Sequence, residues 1–134
     1  MLYEAITNKI LEACFEVSNE LGIGYLESVY EKALLIALRQ KGLRAESQVP
    51  LQVMFRGEIV GEFFVDILVE EKVLIELKVA SGLSKENFAQ IINYLKATEI
   101  EIGLLINFGT PKIEYRRFTN KFNDNQINLR DIFK

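Results

Sequence analysis

The chain has 134 residues, of which 49% are hydrophobic and 26% charged, and its net charge is −3 with a pI near 5.1. This composition excludes a disordered chain, and no apolar run approaches the roughly 18 residues that span a bilayer. The absence of histidine excludes Ser-His-Asp and Cys-His catalysis and histidine-bound zinc. Any metal site must therefore use oxygen ligands, which suit Mg²⁺, Mn²⁺ or Ca²⁺.

Two amphipathic helices are predicted in the N-terminal third of the chain. Apolar residues at helical spacing predict a first helix from about Tyr3 to Leu21, which ends at Gly22. A second helix is predicted from about Glu27 to Lys41, and both helices are expected to pack on a sheet. Since no basic region followed by an apolar stretch opens the chain, we expect no secretory signal and a cytoplasmic location.

Three strands in a meander are predicted next. Alternating apolar side chains predict a strand over 49–55, where Pro50 favours an edge position. Two apolar runs, 63–69 and 73–79, predict further strands joined by a loop at 70–72. Because both runs are continuously apolar, we expect both strands to be buried on both faces.

A third helix and two more strands complete the predicted order. Ser84 is the predicted N-cap of the helix. Its apolar stripe, which is expected to face the sheet, consists of Phe88, Ile91, Ile92 and Leu95. A buried strand is predicted over 102–106 and a more polar edge strand over 113–119. The order ααβββαβ(β) predicts an α/β layered sandwich.

The whole chain, 1–134, is predicted to form one domain with its core over about 6–119 and a C-terminal tail over 120–134. Four apolar residues of the tail are candidates for docking onto the core: Ile127, Leu129, Ile132 and Phe133. Charge is unevenly spread, because 107–134 carries six basic and three acidic residues although the whole chain has a net charge of −3. Three basic side chains before the tail are candidates for binding phosphate, with a solvated surface as the alternative: Lys112, Arg116 and Arg117.

Three charged residues interrupt the most apolar strands: Asp66, Glu76 and Lys78. Burying an unpaired charge costs several kcal/mol, so a compensating partner is expected, most simply a metal ion. The loop at 70–72 sets Asp66 opposite Glu76, with Cβ atoms about 4.5 to 5.5 Å apart. Two carboxylates at that distance can share a divalent cation. A cross-strand salt bridge between Lys78 and Asp66 is the alternative.

Alternation along the strand adds two groups to this pair. Glu76 and Lys78 point to the same face, and the Leu77 backbone carbonyl between them is a further candidate oxygen ligand. An ammonium beside a metal can orient a water molecule and stabilise negative charge that develops on a phosphate.

This arrangement resembles the PD-(D/E)xK nuclease superfamily. Asp66, nine intervening residues, Glu76-Leu77-Lys78 and a following helix match its pattern, although Val65 stands where the name-giving proline would precede the aspartate. The segment 24–30, Gly-Tyr-Leu-Glu-Ser-Val-Tyr, also matches the motif that names the GxxExxY protein family within the superfamily. The resemblance covers about 6–119.

The resemblance implies a restriction endonuclease-like core, with a central mixed sheet flanked by helices, and Mg²⁺- or Mn²⁺-dependent hydrolysis of phosphodiester bonds. It implies that Asp66 and Glu76 bind the metal, that Lys78 assists the attacking water, and that Glu27 contributes a further acidic group and is a candidate metal ligand. The helical segment 90–94 is similar to the Q-x-x-x-Y element of RecB-type exonucleases, which borders the active site.

Gln90 and Tyr94 are one helical turn apart, on a side distinct from the apolar stripe, so both are candidates to face the site; an ordinary surface pair is the alternative. Glu27 shares a helix face with Tyr30, and Tyr30 and Tyr94 are candidate substrate contacts. A glutamate in a first turn can instead interact only with the helix dipole.

Three functions remain open at this point. The first is a metal-dependent nuclease that acts on nucleic acid, with DNA favoured over RNA. The second is a catalytically inactive module with a nuclease-like fold that binds nucleic acid or a protein partner. The third is hydrolysis of a small phosphorylated substrate at the same site. A homodimer or a protein partner that supplies basic surface is compatible with each of these functions.

Overall fold

The computed structural model describes residues 3–120, which are arranged around one five-stranded sheet. In chain order the elements are α1 (Glu4–Leu21), α2 (Glu27–Gln40), β1 (Ala45–Phe55), β2 (Glu58–Val69), β3 (Val73–Lys78), α3 (Lys85–Thr98), β4 (Ile102–Asn107) and β5 (Glu114–Thr119). The predicted α/β class and element order are confirmed. The tail after residue 120, with its four candidate docking residues, lies outside the described residues.

The sheet is mixed, and its strands lie side by side in chain order from β1 to β5. β1, β2 and β3 form the predicted antiparallel meander, and β4 is parallel to β3. Parallel neighbours need a long crossover, which α3 provides. β1 and β5 are the two edges, as Pro50 in β1 and the polar strand near the C-terminus predicted.

Helices cover both faces of the sheet and create two hydrophobic clusters. α1 and α2 pack on one face, against side chains of β3 that include Ile75 and Leu77. α3 packs on the other face, where Ile91 and Leu95 share a cluster with Leu74 of β3. Because β3 is covered on both sides, all residues of 73–77 are buried, which explains its continuous apolar run. None of the helices within 3–120 is long and apolar enough to cross a membrane.

The predicted burial of the other apolar run is wrong at its start. β2 begins at Glu58 and forms a long hairpin with β1, so that Phe63 and Phe64 are 41% and 58% exposed. The hairpin turns at Arg56 and Gly57, which both have positive φ, as two-residue hairpin turns require. A continuous apolar run therefore indicates burial on both faces only where helices cover both faces.

A buried amide joins the ends of β3 and β4. Asn107 is fully buried, and its Oδ1 accepts hydrogen bonds from the N–H groups of Ala80 at 3.0 Å and Gly109 at 2.9 Å. Its Nδ2 donates to the Ala80 carbonyl at 3.0 Å and to the Glu114 carboxylate at 3.3 Å. These bonds hold the chain immediately after Lys78.

Replacing Asn107 by alanine is expected to lower the free energy of unfolding by about 2 to 4 kcal/mol, because the part-buried backbone groups of Ala80 lose their partners. Urea denaturation measures this difference. Asn19→Ala, at an exposed position of α1, is the matched control and should change the same quantity by less than about 0.5 kcal/mol. Equal effects of the two substitutions would contradict the role given to Asn107.

Candidate active site

Asp66 and Glu76 lie where the antiparallel ladder between β2 and β3 ends. The last backbone pair is Ile67 with Ile75, which confirms the register predicted from the three-residue loop. After this pair, side-chain carboxylates accept the hydrogen bonds that backbone carbonyls would otherwise accept. The Asp66 N–H donates to Glu76 Oε1 at 3.1 Å, and the Leu77 N–H donates to Asp66 Oδ2 at 2.7 Å. The two acidic side chains are therefore held together at an opening between the strands.

Lys78 follows Glu76 by two residues and is half-buried. Alternation along β3 puts both side chains on the face that α3 covers, because Leu77 packs in the cluster on the opposite face. Within the described range 3–120, Lys78 forms no salt bridge with Asp66, so the alternative of a cross-strand ion pair is not formed. The carboxylate of Asp66 accepts backbone and side-chain amide hydrogen bonds instead.

The environment of Glu76 strongly disfavours its charged form. The residue is only 4% exposed. Burial, followed by the negative charge of Asp66, raises the pKa of Glu76 to about 8, while the Asp66 N–H and the Lys78 ammonium oppose this shift. The environment therefore favours the protonated form of Glu76 where no cation compensates the two carboxyl groups. A divalent cation between the carboxylates would take the place of that proton.

The side chains of β2 change from one face of the sheet to the other at Asp66. Val65 belongs to the cluster on the α3 face, whereas Ile67, two residues later, belongs to the cluster with α1 and α2. Residues two apart on a regular strand share a face, so the backbone must twist sharply between them. Opposite this point on β1, Gln48 has a left-handed backbone with φ of 52°. The twist lets Asp66 face a cavity that α2 also lines, although Glu76 lies on the α3 face.

On the α2 side, Asp66 borders a cavity of about 220 Å³ that two helical carboxylates also line. Its lining residues are Glu27, Ser28, Glu31, Gln48, Asp66 and Leu77. Burial, followed by the charge of Asp66, raises the pKa of Glu27. Burial also raises the pKa of Glu31, and a hydrogen bond from Gln48 partly offsets this increase. The cavity is thus a pocket of clustered negative charge beside the opening between β2 and β3.

The sequence did not identify three of these lining residues as site residues: Ser28, Glu31 and Gln48. Glu31 lies four residues after Glu27, and this spacing on one helical face was a usable signal. Gln48 carried no such signal, because nothing in the local sequence predicts a left-handed residue inside a strand. Its position next to Asp66 also depends on the pairing of β1 with β2.

Gln90 and Tyr94 lie on α3, where Gln90 Nε2 donates a hydrogen bond to the Tyr94 hydroxyl at 3.1 Å. Burial, followed by the charge of Glu76, raises the pKa of Tyr94, and Asp66 contributes further. The hydroxyl is therefore within electrostatic reach of the acidic pair. Tyr94 is only 7% exposed and belongs to the same cluster as Ile91, so the prediction that it lies apart from the apolar stripe is wrong.

A groove of about 830 Å³ runs from Tyr94 between α3 and the β1–β2 hairpin. Met54 and Phe63 of the hairpin line it, and the ring of Phe63 lies 5.6 Å from that of Tyr94. The groove extends from Gln90 and Tyr94 on α3 to the apolar side chains of the hairpin, and neither Asp66 nor Glu76 lines it.

Tyr30 is a core residue, which corrects its prediction as a substrate contact. The side chain is fully buried and stacks on Phe108, with ring centroids 4.9 Å apart. Its hydroxyl donates to the Gly22 carbonyl at 2.6 Å and accepts from the Tyr25 N–H at 3.3 Å. Tyr30 therefore anchors the loop that precedes Glu27.

The predicted phosphate-binding residues are not brought to the acidic pair. Lys112 lies in the loop between β4 and β5, and Arg116 and Arg117 lie on β5, which β4 separates from β3. Two strand spacings amount to about 10 Å. Arg116 instead lies over the ring of Phe88, 5.0 Å from its centroid. A role of these three residues in binding substrate stays a prediction.

The oxygen groups at the opening fit a hard divalent cation. The described residues contain no cluster of three acidic, histidine or cysteine side chains close enough to hold a metal, so Glu27 is not grouped with Asp66 and Glu76. Mg²⁺, however, is usually bound through one or two carboxylates and keeps several of its waters. The Leu77 N–H points toward β2, and the carbonyl of the same residue points to the same side of the strand. Two carboxylates therefore lie at the opening, and strand geometry directs the Leu77 carbonyl toward the same side.

Comparisons with known proteins agree with this architecture. A protein-family model of the PD-(D/E)XK nuclease superfamily matches residues 4–118. Among solved structures, the chain is similar to the crystal structure of SSO0001, with 18% sequence identity and a TM-score of 0.57 over 97% of this chain and 63% of that one. At this identity the likeness concerns the fold, and this chain spans less than two thirds of that protein's length. No curated protein matches the chain. Because the family model covers most of the sequence, the chain belongs to the PD-(D/E)XK nuclease superfamily.

Proposed function

We propose that this chain is a metal-dependent nuclease that hydrolyses phosphodiester bonds in nucleic acid, with DNA as the favoured substrate. The observation that carries the proposal is the pair of carboxylates, Asp66 and Glu76, held at the opening between β2 and β3 with Lys78 on the same strand as Glu76. Membership of the nuclease superfamily supports the same chemistry. The groove that Tyr94 lines provides a surface along which an extended nucleic-acid strand can lie.

Asp66 and Glu76, with the Leu77 carbonyl, are the groups that would hold Mg²⁺ or Mn²⁺, since members of the superfamily generally use divalent metals. A bound ion supplies charge that stabilises the developing negative charge on the phosphate. The raised pKa of Glu76 supports this assignment, because ionising both carboxyl groups is unfavourable without a cation that neutralises their charge.

Four further residues near the carboxylate pair have distinct proposed roles. The Lys78 ammonium orients the attacking water and stabilises charge on the phosphate. Glu27 adds negative potential from the α2 side and acts on the site at longer range than the two strand carboxylates. Gln90 and Tyr94 border the site on the α3 side through their shared hydrogen bond.

We further propose that the chain belongs to the GxxExxY family within the superfamily. Each named residue of that motif has a structural explanation in this chain. Gly24 has a φ of 113°, which side chains rarely tolerate, and Glu27 is the first residue of α2 and lines the acidic cavity. Tyr30 anchors the loop between them to the core.

One observation favours a second candidate, a module that binds nucleic acid or a protein partner without cleaving. The described residues provide no third carboxylate within metal-binding range of Asp66 and Glu76. Cleavage and metal binding separate the two candidates.

The expected result for the wild type is cleavage of single-stranded DNA, duplex DNA or RNA with Mg²⁺ or Mn²⁺ and none with EDTA. Glu76→Ala is expected to lose this activity by about 10²-fold or more, because one of the two metal-binding carboxylates is removed. Glu58→Ala, an exposed glutamate at the turn of the hairpin, is the matched control and should cleave like the wild type. Absence of cleavage by pure protein on all three substrates, or full activity of Glu76→Ala, would sink the nuclease assignment. Cleavage confined to small phosphorylated compounds would favour the third function.

A further inference from the structure

Gln48 has a backbone conformation that is unusual inside a strand. Its φ of 52° lies in the left-handed region, which costs a residue with a side chain about 1 to 2 kcal/mol. Five other non-glycine residues within 3–120 also have a positive φ. All of them lie at helix ends or in turns: Tyr3, Arg56, Glu70, Glu71 and Glu99. Gln48 differs from these because it lies inside the strand β1.

The side chain of Gln48 is placed between two carboxylates. Its Nε2 donates to Glu31 Oε1 at 2.7 Å and makes a longer contact of 3.5 Å with Asp66 Oδ1. The other oxygen of Asp66 accepts from the Leu77 N–H at 2.7 Å. The carboxylate of Asp66 is therefore held between β1 on one side and β3 on the other, and Gln48 links it to α2.

We propose that Gln48 is a positioning residue of the candidate site, one that orients the Asp66 carboxylate toward the opening and uses Glu31 as its own anchor. The expected effect on metal affinity rests on the proposed function. The orientation of the Asp66 carboxylate by Gln48 does not, because it can be tested in the protein without metal. Asparagine would adopt the left-handed backbone more easily, yet its amide is one methylene shorter and would not span the two carboxylates. The longer glutamine side chain supplies the reach that this position requires.

The first test is Gln48→Gly. Glycine removes the amide and also the backbone strain, so the melting temperature should be no lower than that of the wild type. In the metal-free protein the Leu77 amide hydrogen is expected to exchange about tenfold faster, the factor that corresponds to one net hydrogen bond. The dissociation constant for Mn²⁺, measured by calorimetry, is expected to rise about tenfold, as for other residues that orient metal ligands.

Arg56→Gly is the matched control. Arg56 has a φ of 49° in the hairpin turn, so glycine relieves the same backbone strain at a position away from the acidic pair. The control should leave both Leu77 exchange and Mn²⁺ affinity unchanged. If Gln48→Gly does not fold, Gln48→Asn supplies the same comparison, since asparagine suits the left-handed backbone and its shorter amide does not span the two carboxylates.

Substitution of the anchor provides an independent test. Glu31→Gln keeps an oxygen that can accept from Gln48 and should preserve slow exchange of Leu77, whereas Glu31→Ala should accelerate it as Gln48→Gly does. Unchanged Leu77 exchange in both Gln48→Gly and Glu31→Ala would overturn the positioning role. If the wild type binds no Mn²⁺, the proposed function fails, and the exchange rates of Leu77 still decide whether Gln48 positions Asp66.

Discussion

Replacing Asp66 by asparagine is expected to abolish Mn²⁺ binding and to lower metal-dependent cleavage by about 10²- to 10³-fold. Asparagine keeps an oxygen that accepts the Leu77 N–H, so the local fold should survive. The substitution removes the negative charge beside Glu76, and with it the pair of anions that attracts a divalent cation. Initial rates on labelled DNA and calorimetric titration with Mn²⁺ measure the two effects.

Lys78→Met is the companion variant that separates metal binding from the later chemistry. Methionine keeps an unbranched apolar stem at this half-buried position but removes the ammonium. We expect a comparable loss of cleavage with Mn²⁺ affinity unchanged or tighter, because a nearby positive charge has been removed. Retained cleavage in Asp66→Asn, or lost Mn²⁺ binding in Lys78→Met, would contradict the roles assigned to these residues.

The metal-free protein is expected to become less stable as the pH rises from about 4.5 to 8. Glu76 has a folded-state pKa of about 8 against an ordinary value of 4.5, chiefly because of burial and then because of Asp66. The folded state therefore holds a proton that the unfolded state has released, and the stability linked to this group is present below pH 4.5 and lost as the pH rises through 8. The full effect is on the order of 5 kcal/mol.

Glu76→Gln tests this expectation, since glutamine keeps an oxygen for the Asp66 N–H and cannot ionise. Urea denaturation in EDTA should show a flatter pH profile for the variant and greater stability than the wild type above pH 8. Mn²⁺ at a concentration 100 times its dissociation constant should raise the free energy of unfolding of the wild type by about 3 kcal/mol. The same Mn²⁺ concentration should not stabilise the variant. Glu58→Gln is the control and should retain the wild-type profile. A wild type whose stability does not fall over this pH range would contradict the account of Glu76.

The helices and strands were predictable because their signals are local. Apolar residues at helical spacing and the flanking glycines predicted α1 and α2 to within one residue of their observed ends. The three-residue loop between β2 and β3 determined their register, and so brought Asp66 and Glu76 together in the prediction. This loop was decisive because a hairpin's register depends on the length of its turn.

Other features depended on contacts that a single segment does not encode. The hydroxyl of Tyr30 has the chemistry of a substrate contact, but the packing of α2 on Phe108 buries it. The exposure of Phe63 and Phe64 likewise depends on how far the helices extend over the hairpin.

The sequence by itself determined that Asp66, Glu76 and Lys78 stand in apolar strands, and that any metal there must be bound by oxygen. These properties follow from composition and from the periodicity of neighbouring residues. The tertiary structure decided that the carboxylates take over the backbone hydrogen bonds where β2 and β3 separate, and that Glu31 and Gln48 approach Asp66 from other elements. Such contacts join residues distant in the chain, and their geometry arises from the twist of the sheet and the docking of α2, which no local pattern specifies.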